Sequence, residues 1–171
     1  GLLELDDPII EYFPEKIKKE PGEYLKKQTI RDMLTMTTVG FCQDWFKEKP
    51  YDRTEFYLND QNKKHPSGTL WEYDSAGSQV LSSLVEKVTG KSIFDFLNER
   101  IFTKLDAFKN ATILKTPNGD SWGDSALICT PRDLLAFARF VLNYGVYEGK
   151  RLMNEDYLRE ATARHKDNSP S

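Results

Sequence analysis

From Ala76 to Thr89 the apolar residues Val80, Leu81, Leu84, Val85 and Val88 fall on one face at i, i+4, i+8 spacing. Gly90 follows as a left-handed C-cap, so the pattern predicts a helix over 76–89. Ser92 caps a second helix whose inward positions are Ile93, Phe94, Leu97, Ile101 and Phe102. Thr130-Pro131-Arg132-Asp133 reads as a capping box with proline in the first turn. It opens a strong helix through Leu134, Leu135, Phe137, Ala138, Phe140, Val141 and Leu142, ending near Gly145. Val80, Leu81, Leu84, Val85, Leu134, Phe137, Ala138 and Val141 are expected to share one core. Towards the N-terminus, Asp7 is expected to cap a short turn of Ile9, Ile10, Tyr12 and Phe13 with Pro8 at its first position. Thr29 with Asp32 marks another capped helix, burying Ile30, Met33 and Leu34. Residues 52–61 suit a short helix, and Asn154 starts a last one. Only "ATILKTPNGDSWGDSALICT" alternates, with β-branched residues around a Pro-Asn-Gly turn, so a small hairpin is expected there. The fold class is therefore mainly α with one small irregular β excursion, as a single domain over 1–163 and a frayed tail over 164–171.

Composition narrows the function classes. Of 171 residues, 39% are hydrophobic and 30% charged, which suits a packed globular domain and excludes a disordered one. No apolar run approaches the roughly 18 residues of a membrane span. The formal net charge is −3, and the lysines at 16, 18, 19, 26 and 27 are interleaved with Glu15, Glu20 and Glu23. No nucleic-acid face is expected from that pattern. Cys42 and Cys129 imply no disulfide framework, and His65 and His165 match no metal-ligand spacing. Phosphate-loop and dinucleotide motifs are absent, so no metal and no cofactor is expected. The chain begins with Gly and its first residues already read as structured. A piece of a longer protein is therefore expected, and no compartment is assigned.

Two places carry candidate chemistry. Gly119-Asp120-Ser121-Trp122-Gly123 matches the nucleophile-elbow pattern, with Asp133 and His165 as the only acid and histidine in the right order. An elbow needs a strand entering and a helix leaving, whereas turn residues flank this one. The alternative is a Gly-rich loop. The second place is the corner Tyr73-Asp74-Ser75, where the chain turns into the helix over 76–89. Asp74, Ser75 or Ser78 could each cap that helix. Tyr73 is either a loop aromatic beside Trp71 or a proton-transfer group; a phenol, with an ordinary pKa of about 10, needs nearby cations to act as a base.

Four stretches in order change that balance: "GLLELDDPIIEYFPE", "TIRDMLTMTT", "PSGTLWEYDSAGSQVLSSLVEKVTGKSIFDFLNERIF" and "SALICTPRDLLAFARFVLNYG" with "YEGKRLM" after it. Together they resemble the serine β-lactamase-related superfamily: class C β-lactamases, DD-peptidases, their esterase relatives and amide hydrolases of the 6-aminohexanoate-dimer-hydrolase type. The resemblance runs over residues 1–162, nearly the whole chain. Those enzymes combine Ser-x-x-Lys on a helix, a Tyr-x-Asn or Tyr-x-Ser, and a Lys- or His-x-Gly strand. Only the second has a counterpart, Tyr73-Asp74-Ser75. The resemblance implies that Tyr73 relays a proton from the serine to the leaving group and that Ser75 stands at the substrate-binding asparagine position. A hydroxyl there is shorter than a carboxamide, which turns the expectation from β-lactams towards amides or esters. None of Ser67, Ser75, Ser78, Ser82, Ser83, Ser92, Ser121 or Ser125 has a lysine three residues on, and no Lys- or His-x-Gly occurs.

The chain is thus expected to be the helical domain of a Ser-x-x-Lys hydrolase without its sheet domain, inactive alone. Its partners would be a small-molecule or peptide substrate and the missing domain, with self-association through the uncovered interface. The competing classes are a non-catalytic peptide- or peptidoglycan-binding relative and an α/β-hydrolase built on Ser121.

Overall fold

The computed structural model describes residues 2–40, 45–60 and 64–165. Cys42 lies outside them, as do residues 166–171 of the expected tail. Among the described residues the chain forms α1 (Glu23–Lys26), α2 (Ile30–Leu34), α3 (Trp45–Glu48), α4 (Arg53–Asn59), α5 (Ser75–Thr89), α6 (Ile93–Arg100), α7 (Pro131–Leu142) and α8 (Glu155–Ala161). Two antiparallel hairpins complete it: β1 (Thr112–Ile113) with β2 (Leu127–Ile128), and β3 (Val146–Tyr147) with β4 (Lys150–Arg151). The architecture is mainly helical, with one hairpin where the alternating stretch placed the β excursion and a second, β3–β4, that was not expected. No helix among the described residues is long and apolar enough to cross a membrane.

Local signals explain most of the boundaries. Both capping boxes form: Thr29 accepts from the Asp32 N–H and Thr130 from the Asp133 N–H, each aspartate returning the contact. Asn154 caps α8 through the Tyr157 N–H. Gly90 stops α5 at φ 68°, a conformation that a side chain with Cβ resists.

Helix α5 is the central element, packing against α2, α4 and α6. Val80 and Leu84 lie fully inside a cluster with Ile9, Phe13, Met33, Tyr57 and Leu58, and Leu81 and Val88 close its edge. A second cluster gathers Ile101, Phe102, Leu105, Phe108 and Phe140, with the Phe102 and Phe108 rings stacked at 3.9 Å between centroids.

Three expectations are corrected. The apolar residues of α5 and α7 do not share one core. Phe140 is buried and Val141 packs beside it in the second cluster, while Leu134, Leu135, Phe137, Ala138 and Leu142 are exposed. The inner line of α7 runs through Asp133, Ala136 and Phe140, and among the described residues nothing covers its broader apolar face. Leu34 is also exposed, because α2 ends there and only Ile30 and Met33 reach the core. Asp7 does not cap the Ile9–Tyr12 turn; its carboxylate takes the Glu4 N–H and the Tyr12 hydroxyl instead.

Candidate functional site

The corner before α5 is built around a buried aspartate. Asp74 is the N-cap: its Oδ1 accepts the Gly77 N–H at 2.9 Å, so among the three polar candidates the carboxylate does the capping. Its other oxygen accepts the Thr38 hydroxyl at 2.8 Å and the Tyr57 hydroxyl at 3.3 Å. Tyr57 in turn accepts from the Gln28 amide at 3.1 Å, and Gln28 Oε1 takes the Val39 N–H at 2.9 Å. Gln28, Tyr57 and Asp74 are wholly inaccessible to solvent, and Thr38 nearly so. Hydrogen bonding on every side is what makes such a buried polar group tolerable.

Because Asp74 points inward, its neighbour points out. Tyr73 is 61% exposed, and among the described residues its ring makes no aromatic contact with Trp71. Ser75 is half-buried at the first position of α5. The chain either side of Tyr73 is fastened to one residue: the Glu72 N–H donates to Met36 O at 3.0 Å and the Asp74 N–H to Met36 Sδ at 3.3 Å. Beside Trp71 an open groove of about 280 Å³ is lined by Leu34, Thr35, Met36, Ala163, Arg164 and His165.

The literal elbow at Ser121 is a different thing. Ser121 is buried, its hydroxyl donating to Glu86 Oε1 at 2.5 Å and its N–H to Glu86 Oε2 at 3.1 Å. Gln79 bridges the same loop, donating to Ser121 O at 2.9 Å and accepting the Gly123 N–H at 3.0 Å. Lower on α5, Ser83 joins Asp120 to Thr54 of α4. Arg53 lies over the Trp122 ring at 3.9 Å and the same distance from Asp124, whose carboxyl burial pushes above its ordinary value while Arg53 draws it back. Asp133 is occupied by the Phe108 N–H and by Thr130, and His165 bonds the Glu160 carbonyl. Ser121, Asp133 and His165 are therefore not brought together, and the loop is a polar strap across α5.

The chain belongs to the beta-lactamase family, whose profile matches residues 1–171. A curated relative, the 6-aminohexanoate-dimer hydrolase of Paenarthrobacter ureafaciens, is 33% identical over 181 aligned positions, covering 95% of this chain and 45% of that protein. The octameric penicillin-binding protein homologue from Pyrococcus abyssi superposes with a TM-score of 0.73 at 15% identity, over 96% of this chain and 44% of that one. The penicillin-binding protein from Bacillus halodurans gives 0.72 at 16% identity, over 99% and 60%. The chain spans about half the length of the curated relatives it matches. The structural likenesses, at 15% and 16% identity, establish the fold alone.

Proposed function

We propose that the chain is the helical part of a Ser-x-x-Lys serine hydrolase acting on an amide or ester bond, with Tyr73 as its proton-transfer residue. The observation that carries this reading is the display of Tyr73: a phenol 61% exposed, on a corner held by a fully buried Asp74. A packing aromatic would be turned the other way. In the reaction the phenol, with a lysine supplied by another segment, would take the proton of the attacking serine and return it to the leaving nitrogen or oxygen. Ser75, at the head of the helix, would contact the substrate with its hydroxyl. The nucleophile, its lysine and the oxyanion donors are assigned to segments outside these residues, since no serine here has the required lysine. The amide preference leans on the 33%-identical relative, which is named a 6-aminohexanoate-dimer hydrolase.

The uncovered apolar face supports the same reading. Leu127 and Ile128 of β2 and Leu134, Leu135, Phe137 and Leu142 of α7 are all exposed, and large exposed apolar patches mark interaction surfaces. In the complete protein the sheet domain would cover it; alone, the chain would self-associate.

The test is turnover by the isolated 171-residue chain, offered a chromogenic β-lactam and a short-chain nitrophenyl ester beside a Ser121→Ala variant. The expected result is no hydrolysis by either. Turnover that Ser121→Ala abolishes would overturn the proposal.

A further inference from the structure

Asp74 is overbuilt for a helix cap. Capping α5 takes one carboxylate oxygen and one N–H, which a serine provides equally well. Here a carboxylate is placed with no exposure to solvent, an expensive location for a charge, and its second oxygen collects two hydroxyls from distant segments, Thr38 and Tyr57. Gly77 permits the fit: a Cβ there would stand 3.0 Å from Asp74 Oδ2. Met36, which holds the backbone on both sides of Tyr73, sits at φ 56°, the left-handed region that non-glycine residues rarely occupy. All these constraints converge on residues 72–74, where Asp74 is buried, Glu72 lies 3.9 Å from Lys64 at the surface, and Tyr73 is the most exposed of the three.

We propose that Asp74 is the positioning residue of Tyr73: its bonds to Thr38 and Tyr57 fix the backbone from which the phenol projects. This rests on the reading of Tyr73 as the proton-transfer group. An exposed side chain has little packing to orient it, so its direction must come from the backbone beneath it. A misplacement of about 1 Å can lower a rate by about 100-fold.

The variants separate capping from positioning. Asp74→Ser keeps a cap but is too short to reach Thr38 Oγ1 and Tyr57 OH. Asp74→Asn keeps the length and can donate its amide to both hydroxyl oxygens. The readout is the ¹⁹F spectrum of the 171-residue chain labelled with 3-fluorotyrosine, with the position-73 line assigned by Tyr73→Phe. The expected result is a single narrow line in the parent, displaced and broadened in Asp74→Ser and restored in Asp74→Asn. If Asp74→Ser does not fold, Tyr57→Phe and Thr38→Val each remove one hydroxyl with shape conserved, and each is expected to displace the line. A line unmoved in a folded Asp74→Ser, or unmoved in both single-hydroxyl variants, overturns the inference while leaving the role of Tyr73 standing. Conversely, unimpaired turnover of the complete enzyme with Tyr73→Phe would defeat the proton-transfer reading without touching the ¹⁹F result.

Discussion

Adding one methyl group at Gly123 tests whether the 119–124 strap is fastened to α5 as described. An ideal Cβ there would fall 2.3 Å from Ser82 Cβ and 2.2 Å from Ser82 Oγ, and Ser82 is itself buried. A rotamer change moves Oγ but not Cβ, so the backbone must give. The strap cannot retreat freely, because Gln79 and Glu86 hold the residues on and beside Gly123. Overpacking of this kind costs about 1–3 kcal/mol. For a chain of this size that lowers the melting temperature by roughly 2–12 °C, at about 2–4 °C per kcal/mol. Ser82→Gly removes the obstruction, since the next nearest atom is Ser82 Cα at 3.7 Å. A glycine in the helix interior is itself unfavourable by up to about 1 kcal/mol. The double variant should nonetheless be more stable than the sum of the singles predicts, by about 1 kcal/mol or more. Thermal and urea unfolding of the four proteins in the cycle measures this. Additive effects, or a Gly123→Ala variant as stable as the parent, would refute the contact.

Further outcomes follow from the same geometry. Leu84→Ala, which empties the centre of the first cluster, should destabilise by about 2–5 kcal/mol in urea denaturation. Asp133 is held below its ordinary 3.8 by the Phe108 N–H and then by Thr130. Its contribution is therefore complete above that value and lost as pH falls through the lower folded one, and Asp133→Asn should flatten the acid limb of a stability–pH curve. Leu135→Lys with Leu142→Lys, on the exposed face of α7, should shift the isolated chain towards monomer in sedimentation velocity; an unchanged distribution would place self-association elsewhere.

What the sequence made legible was local. The Thr29–Asp32 and Thr130–Asp133 boxes, the Asn154 cap and the Gly90 stop are readable because each involves residues at most four apart. The period of α5 likewise identified Val80 and Leu84 as core. The same period misled at α7, since periodicity marks an apolar face but not the layer that covers it. Asp7 looked like a cap because an aspartate precedes Pro8, yet the Tyr12 hydroxyl competes for its carboxylate. At the corner, the proton-transfer role of Tyr73 and the substrate-binding role of Ser75 came through resemblance alone. The residues that build it left no trace, because Gln28, Thr38 and Tyr57 reach Asp74 from 17 or more positions away, Gln28 through Tyr57. The Gly-x-Ser-x-Gly pattern matched in letters, but a pattern carries no information on whether its serine faces solvent or the carboxylate of Glu86.

The proposed role of Tyr73 is to move a proton during acyl transfer. The most direct measurement is the acylation rate of the complete gene product, wild type against Tyr73→Phe, with an amide and a nitrophenyl ester as substrates. Phenylalanine keeps the ring and removes only the hydroxyl, so the exposed position should tolerate it without loss of fold. The expected result is a fall of about 100-fold or more, in the range that general acid–base groups contribute. A Tyr73→Phe enzyme that acylates at the wild-type rate would contradict it.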